Sequence, residues 1–510
     1  MDLRSLARLR PAPTRYRRTA SALIGLTTAA ALTALPAGAR AAEPQAADGP
    51  LLSYVVNTGA GHDAALTAEA QIARAGGTVV HAYEQIGVVV AHSANPAFAA
   101  TLRATHLFDS VGATRTAPLT PALETDPVSL GAQEAERASD AAPAGAEPLE
   151  PLQWDIRTIG ADRAQAVNPG SRSVLVGVVD TGVDDTHPDL APNFDAADSV
   201  NCVSGAPDTT AGAWRPTTGA PGYYHGTHVA GTIAAARNGL GVTGVAPGVR
   251  VAAIKVSEPT GSFFYPEAVV CGFVWAGEHH VDVTNNSYYI DPWYFNCLED
   301  SDQKAIVQSV RRAAAYATGR GTLNVAAAGN ERWDLSRTID DATSPDDGTA
   351  VTRTVNPHAC LDLPAALPDV VTVSATGAKN LKSSYSNFGR NVIDVTAPGG
   401  DRTAYQPPQA PATSGGILST MPGGGYAYLN GTSMASPHVA GVAALLKSTH
   451  PGASPHVIAG LLEREADPVA CPAPYDINSD GTADAVCEGT ASYNGFYGHG
   501  MVDAYRAVTG

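Results

Sequence analysis

Short apolar runs alternate with helical patterns from residue 174 onward, and this alternation limits the folds open to the chain. The runs lie at 174–179, 250–256, 281–286, 323–327, 370–374 and 392–395, and helical patterns separate several of them at 228–236, 266–278 and 303–318. A continuous apolar run is typical of a strand buried on both faces. Strands that alternate with helices predict a mostly parallel sheet with helices on both faces, so the expected fold is a three-layer α/β fold.

Three glycine-containing segments carry an Asp, a His and a Ser in that order. Asp180 lies in Val-Val-Asp-Thr-Gly, His225 begins His-Gly-Thr-His, and Ser433 lies in Gly-Thr-Ser-Met-Ala-Ser-Pro. A serine hydroxyl becomes a nucleophile at neutral pH only when an imidazole takes its proton, and a carboxylate orients that imidazole. Asp180 ends an apolar strand, where functional groups gather in open α/β sheets. Ser433 precedes a helical pattern, whose N-terminus stabilises negative charge.

Each of these residues also has another interpretation. Asp-Thr-Gly occurs in aspartic peptidases, but those enzymes need two such carboxylates, and the chain has no second Asp-Thr-Gly or Asp-Ser-Gly. His225 and His228 could bind a metal ion, but their spacing differs from His-Glu-x-x-His and the Glu is missing. Ser433 alone could be a helix N-cap.

Taken together, the three segments resemble those of the subtilisin-like serine peptidases, the subtilases. The resemblance implies a serine endopeptidase with a subtilisin-like fold. It assigns Asp180 as the group that orients His225, His225 as the general base and Ser433 as the nucleophile. It also assigns Asn330, at the end of Ala-Ala-Gly-Asn, as a donor to the oxyanion, with Thr432 assisting. His228 is then structural.

The resemblance also implies that an extended substrate pairs with the segment 285–289. The substrate-binding residues that follow from it are Ser287, Tyr288, Tyr289, Ala327, Ala328 and Gly329. The pair Tyr288-Tyr289 departs from the family, which often has Leu-Gly after the serine. We therefore do not carry over the family's broad preference for large apolar side chains.

Four segments of different composition are expected. Arginines, an apolar run at 21–35 and Ala-Arg-Ala at 39–41 predict a signal peptide at 1–41 and export. Residues 42–119 show a strand-helix-strand-strand-helix-strand pattern, which predicts a small ferredoxin-like α+β unit. By the resemblance this unit is an inhibitory propeptide; the alternative is an ordinary small domain kept in the mature protein. Residues 120–151 are rich in Ala, Pro and acids and predict a flexible linker that is open to processing. The catalytic domain is expected at 152–510.

The net charge of −17 argues against nucleic acid or an anionic membrane as the main partner. The expected partners are polypeptide substrates and the chain's own propeptide, which acts as an intramolecular inhibitor. We expect a secreted monomer with no membrane association after the signal peptide is removed. A hypothesis from another class is a non-catalytic extracellular binding module on the same scaffold.

The six cysteines favour disulfides in an exported protein, and only the pair Cys471–Cys487 is favoured by proximity. The chemistry requires no cofactor, but structural calcium is a candidate. The start of a calcium loop is present, with Asp476, Asn478, Asp480 and Asp484 as ligands, although Cys487 stands at the twelfth position, where an acid is expected. The family resemblance suggests Asp189 and Asn238 as further ligands.

Overall fold

The structure is a computed structural model that describes residues 49–116, 128–259, 263–402, 406–478 and 480–510. The expected signal peptide at 1–41 lies outside these residues, as does the segment 117–127. Within the described ranges, no helix combines the length and the apolar character that are needed to cross a bilayer.

The first described unit is a four-stranded antiparallel sheet with two helices. Its elements are β1 Leu52–Asn57, α1 His62–Arg74, β2 Gly77–Tyr83, β3 Val88–Ser93, α2 Phe98–Arg103 and β4 Ser110–Ala113, and the sheet order is β2-β3-β1-β4. The helices cover one face of the sheet, where Tyr54, Ile72 and Phe98 are buried together. This element order is the one that the sequence pattern predicts for the segment.

The expectation of a flexible linker over 120–151 is wrong for residues 128–151. This part forms β5 (Val128–Ser129), α3 (Ala132–Ala141) and a 3-10 turn at Glu150–Leu152. β5 pairs with the strand Gly425–Leu429. The few apolar residues of the segment, including Ala138 and Leu149, are buried against Tyr428, so their placement outweighs the polar composition around them.

The remaining chain forms a central sheet, its flanking helices and several short hairpins. The helices are α4 Trp154–Thr158, α5 Ala161–Val167, α6 His225–Ala234, α7 Pro266–Glu278, α8 Ser301–Gly319, α9 Thr432–Thr449, α10 Pro455–Glu465 and α11 Ala504–Thr509. The strands are β6 Leu175–Asp180, β7 Val200–Asn201, β8 Arg250–Lys255, β9 Val283–Asn286, β10 Asn296–Cys297, β11 Leu323–Ala327, β12 Ile339–Asp341, β13 Arg353–Val355, β14 Cys360–Leu361, β15 Val370–Thr376, β16 Val395–Pro398, β17 Ile417–Met421, β18 Gly425–Leu429, β19 Gly489–Thr490 and β20 Tyr493–Asn494.

The central sheet has seven strands in the order β16-β15-β11-β9-β6-β8-β7, and every neighbouring pair is parallel. Its strands are buried on both faces, since α6 and α9 contribute to the apolar core on one side and α7 and α8 to the core on the other. The predicted α/β class with three layers is confirmed. Parallel strands of this kind bring their carboxyl ends to one edge of the sheet.

Three disulfides join all six cysteines, as Cys202–Cys271, Cys297–Cys360 and Cys471–Cys487. The pairing of Cys471 with Cys487 confirms the prediction from proximity. The other two bridges connect residues that are 69 and 63 positions apart, which sequence spacing alone does not single out.

The small N-terminal sheet packs against α7 and α8. One guanidinium on α8 is central to this contact: Arg312 donates to the backbone oxygens of Thr58 and Gly87 at 2.7 and 2.8 Å and to the carboxylate of Asp109 at 2.5 Å. Asn57 Nδ2 donates to the backbone oxygen of Ala305 at 2.9 Å. The interface is therefore built from specific polar contacts between this unit and the helical face of the central sheet.

Candidate active site

Three neighbouring strands of the central sheet end beside one another, and a predicted site residue lies at or just after the end of each. Asp180 is the last residue of β6, Ser287 directly follows β9, and Asn330 lies three residues beyond β11. Because β6, β9 and β11 are adjacent and parallel, their carboxyl ends meet. His225, Asn330 and Ser433 line one common cavity at this edge.

Asp180 and His225 form a closely paired carboxylate and imidazole. The Nδ1 atom of His225 lies 2.9 and 3.0 Å from the two carboxylate oxygens of Asp180, which is fully buried. The backbone N–H of Thr181 also donates to Asp180, at 2.7 Å. An ionised carboxylate can only accept, so His225 Nδ1 carries the hydrogen and its Nε2 is left as a proton acceptor.

The start of α6 approaches β6 closely because position 226 is a glycine. A Cβ atom at Gly226 would lie 2.4 Å from the backbone oxygen of Gly182 and 3.0 Å from the Cβ of Asp180. The backbone N–H of Gly226 donates to the hydroxyl of Thr181 at 3.0 Å. The Thr-Gly after Asp180 and the Gly after His225 therefore fix the distance between the two functional side chains.

His228 has a structural position one turn further along α6. It is fully buried, and its Nε2 donates to the backbone oxygens of Ile417 and Ala427, each at 3.1 Å. Burial lowers the pKa of His228 to about 3, so the imidazole is neutral at physiological pH. Its bonds join α6 to the hairpin of β17 and β18.

Ser433 lies in the first turn of α9, where a ladder of hydrogen bonds ties the helix to the end of β9. The hydroxyl of Ser433 donates to the backbone oxygen of Ser287 at 3.2 Å, and the hydroxyl of Ser287 donates to the backbone oxygen of Ser433 at 3.0 Å. Asn285 continues the ladder, since its amide donates to the hydroxyl of Ser287 and its oxygen accepts from Ser436. The nucleophile candidate is thereby held at a helix N-terminus beside the sheet edge.

Asn330 is oriented by Thr432. The side-chain oxygen of Asn330 accepts from the backbone N–H and the hydroxyl of Thr432 at 2.9 and 3.0 Å. The same hydroxyl accepts from the backbone N–H of Gly329 at 3.1 Å. Because its oxygen is already engaged, the amide presents its nitrogen as the available donor beside Ser433.

A cavity of about 260 Å³ adjoins Ser433 and contains most of the residues that we expected to bind substrate. Its lining includes Ser287, Tyr288, Tyr289, Ala327 and Gly329. Ala328 does not line it, because this side chain is fully buried behind the wall. Alternate side chains on an extended segment point to opposite sides, so that of Ala328 faces the core, and a role of this residue in substrate binding stays a prediction.

The two tyrosines of the wall are stacked on other rings. The ring of Tyr288 lies 4.5 Å from that of Phe264, and the ring of Tyr289 lies 4.4 Å from that of Tyr294. The hydroxyl of Tyr288 donates to the side-chain oxygen of Asn286 at 2.9 Å. These rings therefore form fixed aromatic walls.

Sequence reasoning missed four acidic residues of the same cavity: Asp291, Glu331, Asp346 and Asp362. Burial raises the pKa of each carboxyl, and the neighbouring carboxyl of Asp346 raises the pKa of Asp291 further. Glu331 could have been found from its position next to Asn330. Asp362 had no such signal, because the chain returns to the cavity only in the folded state.

The calcium candidates do not form a metal cluster among the described residues, where no group of three or more His, Cys, Asp or Glu could hold an ion. Asp476 accepts from the backbone N–H groups of Asp480 and Gly481, and Asp484 accepts from that of Ile477. Asp189 and Asn238 do meet, at 3.3 Å, but as a hydrogen-bonded pair. Calcium at either place stays a prediction, and the chemistry described below needs none.

Comparison with known proteins places the chain in a family. The model of the subtilase family matches residues 171–500, so the chain belongs to the subtilase family. It is 34% identical over 308 residues to subtilisin NAT of Bacillus subtilis subsp. natto. The aligned region covers 60% of this chain and 63% of the relative. It is 36% identical over 303 residues to subtilisin of Bacillus pumilus, which covers 59% of this chain and 86% of that one.

The chain thus spans less than two thirds of the length of the first of these relatives. Among solved structures, it is similar to the epidermin leader peptide processing serine protease from Staphylococcus aureus. The TM-score is 0.64, the sequence identity is 22%, and the match covers 90% of this chain and 98% of that one. This likeness supports the fold.

Proposed function

We propose that the protein is a serine endopeptidase that hydrolyses peptide bonds through Asp180, His225 and Ser433. The observation that carries the proposal is the pairing of His225 Nδ1 with the buried Asp180 at 2.9 and 3.0 Å, at a cavity that Ser433 and Asn330 also line. A bare N-cap serine or a turn aspartate would not account for this combination. The subtilase relationship supports the same assignment.

In the acylation step, Ser433 Oγ attacks the carbonyl carbon of the substrate and His225 Nε2 takes the hydroxyl proton. Asp180 holds the imidazole in the tautomer whose Nε2 accepts the proton, and it stabilises the imidazolium that forms. His225 then returns the proton to the leaving amine as the C–N bond breaks. Water, activated by the same imidazole, hydrolyses the ester and releases the acid and Ser433.

Negative charge develops on the carbonyl oxygen during both steps. The Asn330 amide nitrogen and the backbone N–H of Ser433 are the proposed donors to this oxyanion. Thr432 fixes the direction of the amide before substrate binds, so little reorganisation is needed in the transition state. The partial positive charge at the N-terminus of α9 acts in the same sense.

We also propose that the protein is secreted as a zymogen. Residues 1–41 serve as the signal peptide, residues 42–119 as the inhibitory propeptide and 152–510 as the catalytic domain. The docking of the small sheet through Arg312 supports an intramolecular inhibitor. Because 128–151 packs with the catalytic unit, processing is proposed ahead of residue 128.

Replacement of Ser433 by Ala in the full secreted chain tests the proposal. The wild-type protein should react with a fluorophosphonate probe, hydrolyse casein and shorten its own N-terminus, and Ser433→Ala should lose all three properties. Ser173→Ala, at an exposed position, serves as the matched control and should keep them. Undiminished labelling and casein hydrolysis by Ser433→Ala would refute the mechanism, and a wild-type chain that never reacts would favour the non-catalytic binding module.

A further inference from the structure

Four carboxyl groups line the cavity beside Ser433, and three of them have a hydrogen-bond donor. Asp291 accepts from the backbone N–H of Phe264, Glu331 from the backbone N–H of Asn330 at 2.7 Å, and Asp346 from the hydroxyl of Tyr289 at 2.7 Å. Each of these three carboxyls therefore has at least one donor from the protein, although the Oδ1 atom of Asp346 has none among the described residues.

Asp362 differs from the other three. It is only 6% exposed, and within the described part of the chain no donor makes a hydrogen bond or ion pair with its carboxyl group. A buried carboxyl without a partner is unfavourable, so such groups are ordinarily paired. Because Asp362 lines the cavity, a donor can reach it from a molecule that enters there.

No lysine or arginine of the described lining competes with a cation that enters the cavity. Its lining, as far as the structure describes it, contains neither Lys nor Arg. The stacked rings of Phe264 and Tyr288 and of Tyr289 and Tyr294 provide aromatic faces, which attract cations and also pack against an aliphatic stem. The cavity thus combines apolar walls with an unpartnered acid, which fits a long side chain that ends in a positive charge.

The location of the cavity tells which substrate residue it receives. Its walls, at 287–289 on one side and at Ala327 and Gly329 on the other, adjoin Ser433 and Asn330, which line the same cavity. The side chain nearest to these groups belongs to the residue whose carbonyl carbon is attacked. Charge in the cavity therefore acts on the residue that precedes the scissile bond.

We propose that this cavity selects Lys or Arg before the scissile bond, with Asp362 as the ion-pair partner of the substrate side chain. The proposal rests on the proposed serine peptidase function and names its substrate class. A cation that replaces the missing partner of Asp362 recovers the interaction that the free enzyme lacks. A neutral side chain of the same size can donate a hydrogen bond but leaves the carboxyl without a counter-charge.

Three tetrapeptide p-nitroanilides that differ only in their last residue, Arg, citrulline or Phe, test the proposal on the full secreted protein. Citrulline has nearly the shape of Arg without its charge. We expect kcat/KM for Arg to exceed that for citrulline by at least about 100-fold. The variant Asp362→Asn should lower the ratio of kcat/KM for the Arg substrate to kcat/KM for the Phe substrate by about 100-fold.

Asp467→Asn makes the same change at an exposed carboxylate and should keep the Arg preference. Asp362→Glu retains the charge and should keep a preference for Arg over citrulline. If Asp362→Asn does not fold, the wild-type ratios decide: equal or faster cleavage after citrulline or Phe overturns the proposal. Labelling of Ser433 by a fluorophosphonate separates the two failures, since an enzyme that is labelled and prefers Phe refutes the selectivity, whereas an unlabelled and inactive chain refutes the proposed function.

Discussion

Thr432 donates both its backbone N–H and its hydroxyl to the side-chain oxygen of Asn330, at 2.9 and 3.0 Å. Two donors on one oxygen leave the amide nitrogen as the group that can act on substrate. The residue directly before the proposed nucleophile thus sets the direction of the proposed oxyanion donor. Nucleophile and donor are coupled through one peptide unit at the start of α9.

Loss of the Asn330 amide should therefore lower kcat much more than it changes KM, because the bond forms mainly in the transition state. We expect Asn330→Ala to reduce kcat by roughly 100- to 1,000-fold, a range that derives from subtilisin. Steady-state kinetics on one peptide substrate measure it. An increase in KM at unchanged kcat would contradict a role in the transition state.

Thr432→Val should also lower kcat, but by less than Asn330→Ala does. It removes one of the two donors that hold the Asn330 oxygen, so we expect kcat to fall roughly 3- to 10-fold. Thr432→Ser keeps the hydroxyl and is the matched control. In an Asn330→Ala background, Thr432→Val should lower kcat little further. If kcat falls by the same factor as in the wild-type background, Thr432 acts independently of Asn330.

Asp180→Asn should disable the enzyme while its fold persists. The amide cannot hold His225 in the tautomer whose Nε2 accepts a proton, and loss of this role in a Ser-His-Asp triad costs about 10⁴-fold in kcat. Asp208→Asn, at an exposed position, is the control. Circular dichroism of both variants should match the wild-type protein, and near-normal kcat for Asp180→Asn would contradict the proposed role of this carboxylate.

The proposed catalytic residues could be identified from the sequence because each lies within a local motif. Asp180 follows an apolar strand, Ser433 precedes a helix, and the chain order of Asp, His and Ser restricts the family. The parallel sheet could also be predicted, since buried strands and helices alternate. The Cys471–Cys487 bridge followed from a short separation of 16 residues.

The character of the pocket could not be predicted in this way. Asp362 lines the cavity from a segment that follows the Cys297–Cys360 bridge. No local sequence pattern predicts that this residue lies beside the active site candidate. The side chain of Ala328 is turned into the core, because alternate side chains of an extended segment point to opposite sides. Composition predicts a flexible linker at 128–151, but Ala138 and Leu149 are buried with Tyr428, and β5 pairs with β18. Each of these three features depends on tertiary contacts, which composition does not encode.

The buried His228 should make the protein less stable in acid. Burial lowers its pKa to about 3 in the folded state, from an ordinary value of 6.5. Below pH 6.5 the unfolded chain takes up a proton that the folded chain does not, so the free energy of unfolding falls as the pH decreases from 6.5 to 3. His228 lowers the free energy of unfolding by at most about 1.4 kcal/mol for each pH unit below 6.5. Above pH 6.5 this residue gives the stability no pH dependence.

His228→Gln should therefore flatten the acid side of the stability profile. Urea denaturation between pH 3 and 7, in a Ser433→Ala background that prevents self-digestion, measures the slope. His358→Gln, at an exposed position, should leave the slope unchanged. An equal slope in His228→Gln and the parent would assign the acid sensitivity to other groups.

Gly112→Val should release the small N-terminal sheet from α8. A Cβ atom at Gly112 would lie 2.6 Å from the backbone oxygen of Asp302 and 2.8 Å from the Cβ of Ala305, so a larger side chain forces the interface apart. In a Ser433→Ala background, added thermolysin should then digest the segment 49–116 at least about 10-fold faster than in the parent, because it cuts the undocked form.

Gly59→Val, where the nearest such contact is 3.8 Å, is the matched control and should be digested at the parent rate. Equal protection of Gly112→Val would show that this contact does not hold the unit in place, and it would remove the main structural support for an intramolecular inhibitor.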